Sequence, residues 1–158
     1  MTAGTITRTL VALLDRAAAL AGRTPRDPAH LQLGRTGEDE AYFYLRSRGY
    51  TVVARNWRVP CRRGELDLIA WDGDVLCFVE VKTRTRRAFV PAEAAVDREK
   101  QHELISMARA YLRNQPLGTL YRFDIVSVYL APGQKPDLTL FKDAFGWRTM
   151  KATGRRRR

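Results

Sequence analysis

Thiols and imidazoles are scarce in this 158-residue chain, which holds two cysteines, Cys61 and Cys77, and two histidines, His30 and His102. Two cysteines build no disulfide framework, and with two histidines they make a poor zinc set. Long hydrophobic runs are absent, and nothing approaches the ~20 apolar residues that cross a bilayer. The longest N-terminal apolar run, Leu10 to Leu14, is cut off by Asp15 and Arg16, which argues against a secretory signal. Acidic residues are in deficit, with 17 Asp+Glu against 28 Lys+Arg, for a formal charge of +11. Apolar residues are plentiful: at 45% they exclude general disorder, because such a chain buries enough surface to offset its ordering entropy. The expectation is a soluble, cytoplasmic, strongly basic protein with no membrane partner.

A basic excess of this size calls for a polyanionic partner, and nucleic acid is the commonest. The charge is clustered. Arg55, Arg58, Arg62 and Arg63 form one group, Lys82, Arg84, Arg86 and Arg87 a second, and Lys151 with Arg155 to Arg158 a third. The terminal run also reads as a plain solvated tail. The interior clusters flank carboxylates and are harder to set aside.

Residues 1–30 read as an N-terminal appendage, with Pro25 and Pro28 breaking a short apolar pattern. Residues 31–147 form the expected globular domain, and 148–158 a basic tail. Thr36 followed by Asp39 resembles a capping box opening a helix that runs to about Arg48, with Gly49 as its stop. Strands follow at Tyr50 to Val59, Gly64 to Trp71 and Val75 to Thr83. Pro91 and Glu93 lead into a helix from about Val96 to Asn114. Strands at Tyr121 to Leu130 and Leu138 to Lys142 complete the chain. This order predicts an α/β fold, a mixed sheet flanked by helices.

The Asp72-Gly73 dipeptide marks a hairpin. Because side chains alternate along a strand, Glu65, Asp67 and Ile69 share one face and Phe78, Glu80 and Lys82 share one face. The opposite face is wholly apolar and is assigned to the core. With Asp72-Gly73 as the loop, Glu65 lies opposite Glu80 and Asp67 is diagonal to it. With Gly73-Asp74 as the loop, Asp67 faces Glu80 directly. Either register gathers carboxylates at ~5 Å, where two like charges repel by about 3 kcal/mol at an effective dielectric of 20. Lys82 offsets part of that repulsion and a divalent cation would offset more, with Mg²⁺ or Mn²⁺ suited to hard oxygen ligands. Ordinary Glu/Lys alternation on a solvated face is the alternative.

Glu38 falls with Ala41, Tyr42 and Leu45 on one helix face, so it is expected to point inward and need a partner; complementing the helix dipole is its other reading. Lys100 shares a face with Leu104, Met107, Ala108 and Tyr111, from which it could reach the carboxylates, though a snorkelling lysine is the simpler reading. Arg122 and Asp124 are read as buttressing the sheet, and Trp57 and Trp147 as packing residues.

The segments Gly37-Glu38-x-x-Ala41, Arg55-Asn56-Trp57-Arg58, Gly64-Glu65-Leu66-Asp67-Leu68-Ile69-Ala70, Phe78-Val79-Glu80-Val81-Lys82-Thr83-Arg84 and Arg122-Phe123-Asp124 resemble the bacterial YraN-type family over about residues 33–147. That uncharacterised family is predicted to be nuclease-like and related to archaeal Holliday-junction resolvases in the PD-(D/E)xK superfamily. The resemblance implies a restriction-endonuclease-like α/β core. It implies that Asp67 and Glu80 ligate metal, with the Val81 carbonyl as a further donor. Lys82 would position or deprotonate the attacking water, and Glu38 would be the helical carboxylate supporting the metal. The superfamily's Pro-Asp is Leu66-Asp67 here, which leaves the carboxylate in place.

The expected function is a Mg²⁺- or Mn²⁺-dependent endonuclease hydrolysing DNA phosphodiesters, on branched or structured DNA in particular. Arg84, Arg86, Arg87, Arg55 and Arg58 are the expected phosphate-binding residues, and the resolvase resemblance suggests a homodimer. The alternative is a nucleic-acid-binding protein without turnover, its acids paired with nearby arginines. An RNA-directed role is a third reading, since a basic surface does not choose between polymers.

Overall fold

The computed structural model describes residues 29–60, 62–85 and 96–146. The appendage up to residue 28, Cys61, Arg86, Arg87, Pro91, Glu93, Trp147, Lys151 and the Arg155 to Arg158 tail lie outside them. By its internal contacts the chain divides into Met1–Thr36 and Gly37–Arg158.

Helix α1 spans Ala29–Ser47 and helix α2 spans Arg98–Leu112. The strands are β1 (Thr51–Trp57), β2 (Leu66–Asp72), β3 (Val75–Arg84), β4 (Tyr121–Tyr129) and β5 (Asp137–Phe145). They form one sheet in the order β1-β2-β3-β4-β5. The pairs are antiparallel except β3 with β4, which run parallel with α2 in the crossover between them. A parallel neighbour requires such a long connection, since a tight turn can only reverse the chain. The fold is therefore a mixed α/β sheet flanked by helices, as the element order predicts.

Helix α1 corrects the expected start. Thr36 lies inside the helix and caps nothing; its hydroxyl donates to the Gln32 carbonyl one turn back at 2.9 Å. Asp39 likewise serves no capping box and pairs with Arg55. The predicted stop is observed. Gly49 has φ +89°, and the Tyr50 and Gly49 amides donate to the Leu45 and Arg46 carbonyls at 3.1 and 3.2 Å. That pattern is a Schellman closure, and its left-handed residue favours glycine. Helix α2 opens on Asp97, whose carboxylate accepts from the Lys100 amide at 2.8 Å.

The sheet is covered on both faces, so the expectation of one core face and one polar face in the hairpin is overturned. Leu68, Ala70, Cys77 and Val79 pack with Ala41 and Leu45 of α1. Ile69, Leu76 and Phe78 pack with Leu104, Ile105, Met107 and Ala108 of α2. The strands carry too many apolar residues for one helix to cover, and the crossover supplies the second layer. Carboxylates on the α2 side are consequently pressed against a core rather than bathed in solvent.

Arg122 and Asp124 buttress the sheet as expected. Asp124 is fully buried, and accepts from Arg122 Nε at 2.9 and 3.0 Å and from the Asp143 amide at 2.9 Å. Asp143 has φ +51° where the β4–β5 register shifts, so the buried carboxylate fastens a bulge. Arg122 also donates to Asp72 at 2.6 Å and to the Tyr50 hydroxyl at 2.9 Å, and Lys142 donates to Asp72 at 2.8 Å.

Candidate functional site

Hairpin register decides which carboxylates meet. Asp72 pairs with Val75 and Ile69 with Phe78, so the two-residue loop is Gly73-Asp74, with Gly73 at φ +59°. Of the two registers the sequence allows, this one carries Asp67 directly opposite Glu80. The ladder runs out at Leu68 and Val79. Just beyond it, Asp67 Oδ2 accepts from the Val81 amide at 2.7 Å. One hydrogen bond thus fixes one carboxylate beside the other's strand.

Both groups are deeply buried, Asp67 at 8% and Glu80 at 4% exposure. Burial, and then the Glu80 charge, push the Asp67 carboxyl up to about 7, against the opposing pull of the Val81 amide. Glu80 Oε1 accepts from Lys82 Nζ at 2.8 Å. Glu80 Oε2 is buried with no hydrogen-bond partner among the described residues, and Lys100 Nζ stands off at 3.6 Å. Burial opposes the charge on Lys100, yet Glu80 and Asp67 hold its ammonium above the ordinary lysine range. Lys100 also lies 3.8 Å from Glu103. Of the two readings of Lys100, the structure shows the one that reaches the carboxylates rather than the snorkelling one.

Glu38 approaches from α1. It is half-buried, hydrogen-bonded to Asn56, and its charge contributes to raising Asp67. Burial raises Glu38 itself, helped by Glu65 and opposed by Asn56. Asn56 sits at the end of β1 with φ +49°, a left-handed conformation asparagine tolerates better than most residues. Nothing in the sequence pattern singles Asn56 out beyond that tolerance. Gly37 allows α1 to come this close, because a β-carbon there would stand 1.8 Å from Thr83 Oγ1.

The arginines divide. Arg55 is committed to Asp39 and lies 5.0 Å over the Tyr42 ring, and Arg58 grips Glu65 through Nε at 2.7 Å and through its NH2 group. Arg84 closes β3, its carbonyl accepting from the Leu130 amide at 2.9 Å. Trp57 packs edge-on against Tyr111 at 5.2 Å, the packing role expected of it.

Among the described residues, no three His, Cys, Asp or Glu side chains converge into an all-protein metal cage. The donor set is two opposed carboxylates, one with a buried oxygen lacking a hydrogen bond. Mg²⁺ ordinarily takes one or two carboxylates and keeps several waters. These residues fit that kind of ion.

The model of the uncharacterised protein family UPF0102 matches residues 37–128. The chain belongs to this family. Among UPF0102 relatives, one from Koribacter versatilis (strain Ellin345) is 54% identical over 121 residues, covering 77% of this chain and 84% of its own. One from Solibacter usitatus (strain Ellin6076) is 49% identical over 127 residues, covering 80% and 94%. One from Nocardia farcinica (strain IFM 10152) is 44% identical over 115 residues, covering 72% and 88%. The solved structure of Archaeoglobus fulgidus Hjc, a Holliday junction resolvase from an archaeal hyperthermophile, is similar at 17% identity and a TM-score of 0.35, covering 64% of this chain and 70% of that one. The UPF0102 match holds Glu38, Asp67, Glu80, Lys82 and Lys100, and ends within β4.

Proposed function

We propose that this protein is a Mg²⁺- or Mn²⁺-dependent endonuclease that hydrolyses DNA phosphodiesters, with branched or structured DNA as its preferred substrate and the cytoplasm as its workplace. One observation carries the reading: Glu80, which the hairpin register sets opposite Asp67, keeps a buried oxygen with no hydrogen bond among the described residues. A fold that seals two carboxylates together carries a cost that a cation would relieve.

Asp67 and Glu80 would hold the ion, with the Val81 carbonyl a further donor and Glu38 in support. When bound, a divalent cation acidifies a water and neutralises charge on the phosphate. The chain's own groups do the rest. The Val81 amide aims Asp67, so that carboxylate need not be reorganised at the moment of reaction. Lys82, anchored on Glu80, places a positive charge beside the scissile phosphate and can orient the attacking water. Lys100 partly counters the carboxylates, its ammonium standing 3.6 Å from Glu80 Oε2. Arg84 continues the positive surface along the exit of β3, with Arg86 and Arg87 next in sequence.

The two lysines on Glu80 favour a second reading, a DNA-binding protein without turnover whose carboxylates are already compensated. The readings separate on plasmid, single-stranded and four-way-junction DNA with Mg²⁺ or Mn²⁺. The nuclease reading expects wild type to cut, and Asp67→Asn and Glu80→Gln to bind without cutting. A wild type that binds all three and cuts none supports the binding module. Cutting that survives both substitutions removes this site from the chemistry.

A further inference from the structure

We propose that a groove between the β1–β2 connection and the C-terminal half of α2 holds an unstacked nucleotide of single-stranded DNA whose strand continues along the helix to the carboxylate pair. The inference deepens the DNA reading above and rests on it. The groove has a volume of ≈ 290 Å³, near the small end of ligand pockets at roughly 300 Å³. Arg58, Arg62 and Arg113 line it together with Trp57, Val59 and Asn114, and no carboxylate lines it among the described residues.

Three guanidinium groups brought to one concavity give it a positive potential that an anion complements. Glu65 answers Arg58 from outside the groove, while Arg62 meets the neutral Ser106 hydroxyl at 3.3 Å. Arginine forks match phosphate oxygens. Trp57, Val59 and Pro60 add an apolar wall between those charges. A ligand that alternates phosphate with a flat apolar group uses both features; an acidic peptide uses only the first. A duplex keeps its bases stacked inside, so only an unstacked strand can offer a base to that wall.

Position links the groove to the carboxylates. Lys100 stands at the pair, Ser106 contacts Arg62, and Arg113 ends the same helix. At 1.5 Å per residue, roughly 9 Å separates Lys100 from Ser106 and roughly 20 Å separates it from Arg113.

The test is equilibrium binding of the full chain in EDTA, where cutting cannot intervene, to a labelled oligonucleotide as a single strand and as a duplex. Arg62→Ala with Arg113→Ala should weaken single-strand binding about tenfold and reduce the log–log salt slope by about 1.4. Duplex binding should change by less than about threefold. Both arginines are exposed, and an unchanged melting curve confirms that the double variant folds. Equal losses on both substrates, no loss on either, or full competition by polyglutamate would each overturn the proposal. Cleavage by wild type with Mn²⁺, scored separately, tests the nuclease reading and can fail while the groove stands.

Discussion

Replacing Asp67 by asparagine should stabilise this protein at alkaline pH in the absence of divalent cations. In the folded chain burial and Glu80 push the Asp67 carboxyl up to about 7, while an unfolded aspartate titrates near ~3.9. A carboxyl raised in this way lends its full stability below the unfolded value, and that stability drains away as pH rises through the folded value. The difference is about three pH units at 1.36 kcal/mol each, or about 4 kcal/mol between pH 4 and pH 8. Asparagine has no proton to lose. Its oxygen can still accept from the Val81 amide, and its NH₂ can donate to Glu80, so repulsion becomes attraction. Thermal unfolding in EDTA at half-unit steps from pH 4 to pH 8 is the assay. Wild type should decline across the series and Asp67→Asn should not, giving the variant a Tm advantage of order 10 °C at pH 8. Added Mg²⁺ or Mn²⁺ should raise the wild-type Tm selectively, since a ligand that binds only the folded state stabilises by mass action. Parallel pH profiles for the two proteins, or a variant weaker than wild type at pH 8, would refute the reasoning.

Gly37→Ala should lower stability by about 1–3 kcal/mol, because the new methyl overlaps Thr83; adding Thr83→Ala should restore part of the loss in urea denaturation. Hydrogen bonds from Lys142 and Arg122 hold Asp72 down to about 2, so the stability it provides is present above pH ~4 and lost as pH falls towards 2. Asp72→Asn should flatten the acid limb of denaturation curves taken between pH 2 and 5. Burial pushes the Cys77 thiol up to about 12, so in a Cys61→Ser background a disulfide reagent at pH 8 should label it only after unfolding.

Much of the frame was legible because it rests on local chemistry. Gly49 announced its helix stop, and alternation in Leu66 to Ala70 and Leu76 to Val81 announced two ribbons. Thr36 misled because its hydroxyl serves equally well inside a helix, bonding one turn back, and nothing local distinguishes the two uses. The register stayed open because Asp72-Gly73 and Gly73-Asp74 both supply a glycine; only the pairing of Asp72 with Val75 selects between them. Lys100 was visible on its helix face, but its partner, Glu80, is twenty residues away in sequence and is brought to it only by the crossover. Asn56 falls within a recognisable segment, yet its hold on Glu38 depends on a left-handed backbone that no spacing rule foresees.

The pairing of Asp67 with Glu80 inside one short hairpin has a consequence for the order of assembly. Contacts close in sequence form early, since little loop entropy opposes them. The hairpin register and its Lys82 cation are thus set by neighbours in sequence, whereas Lys100 reaches Glu80 only once the crossover has docked α2. Loosening α2 would therefore leave the couple in place with one cation fewer, so the balance of charge at this spot is tied to how firmly that helix is seated.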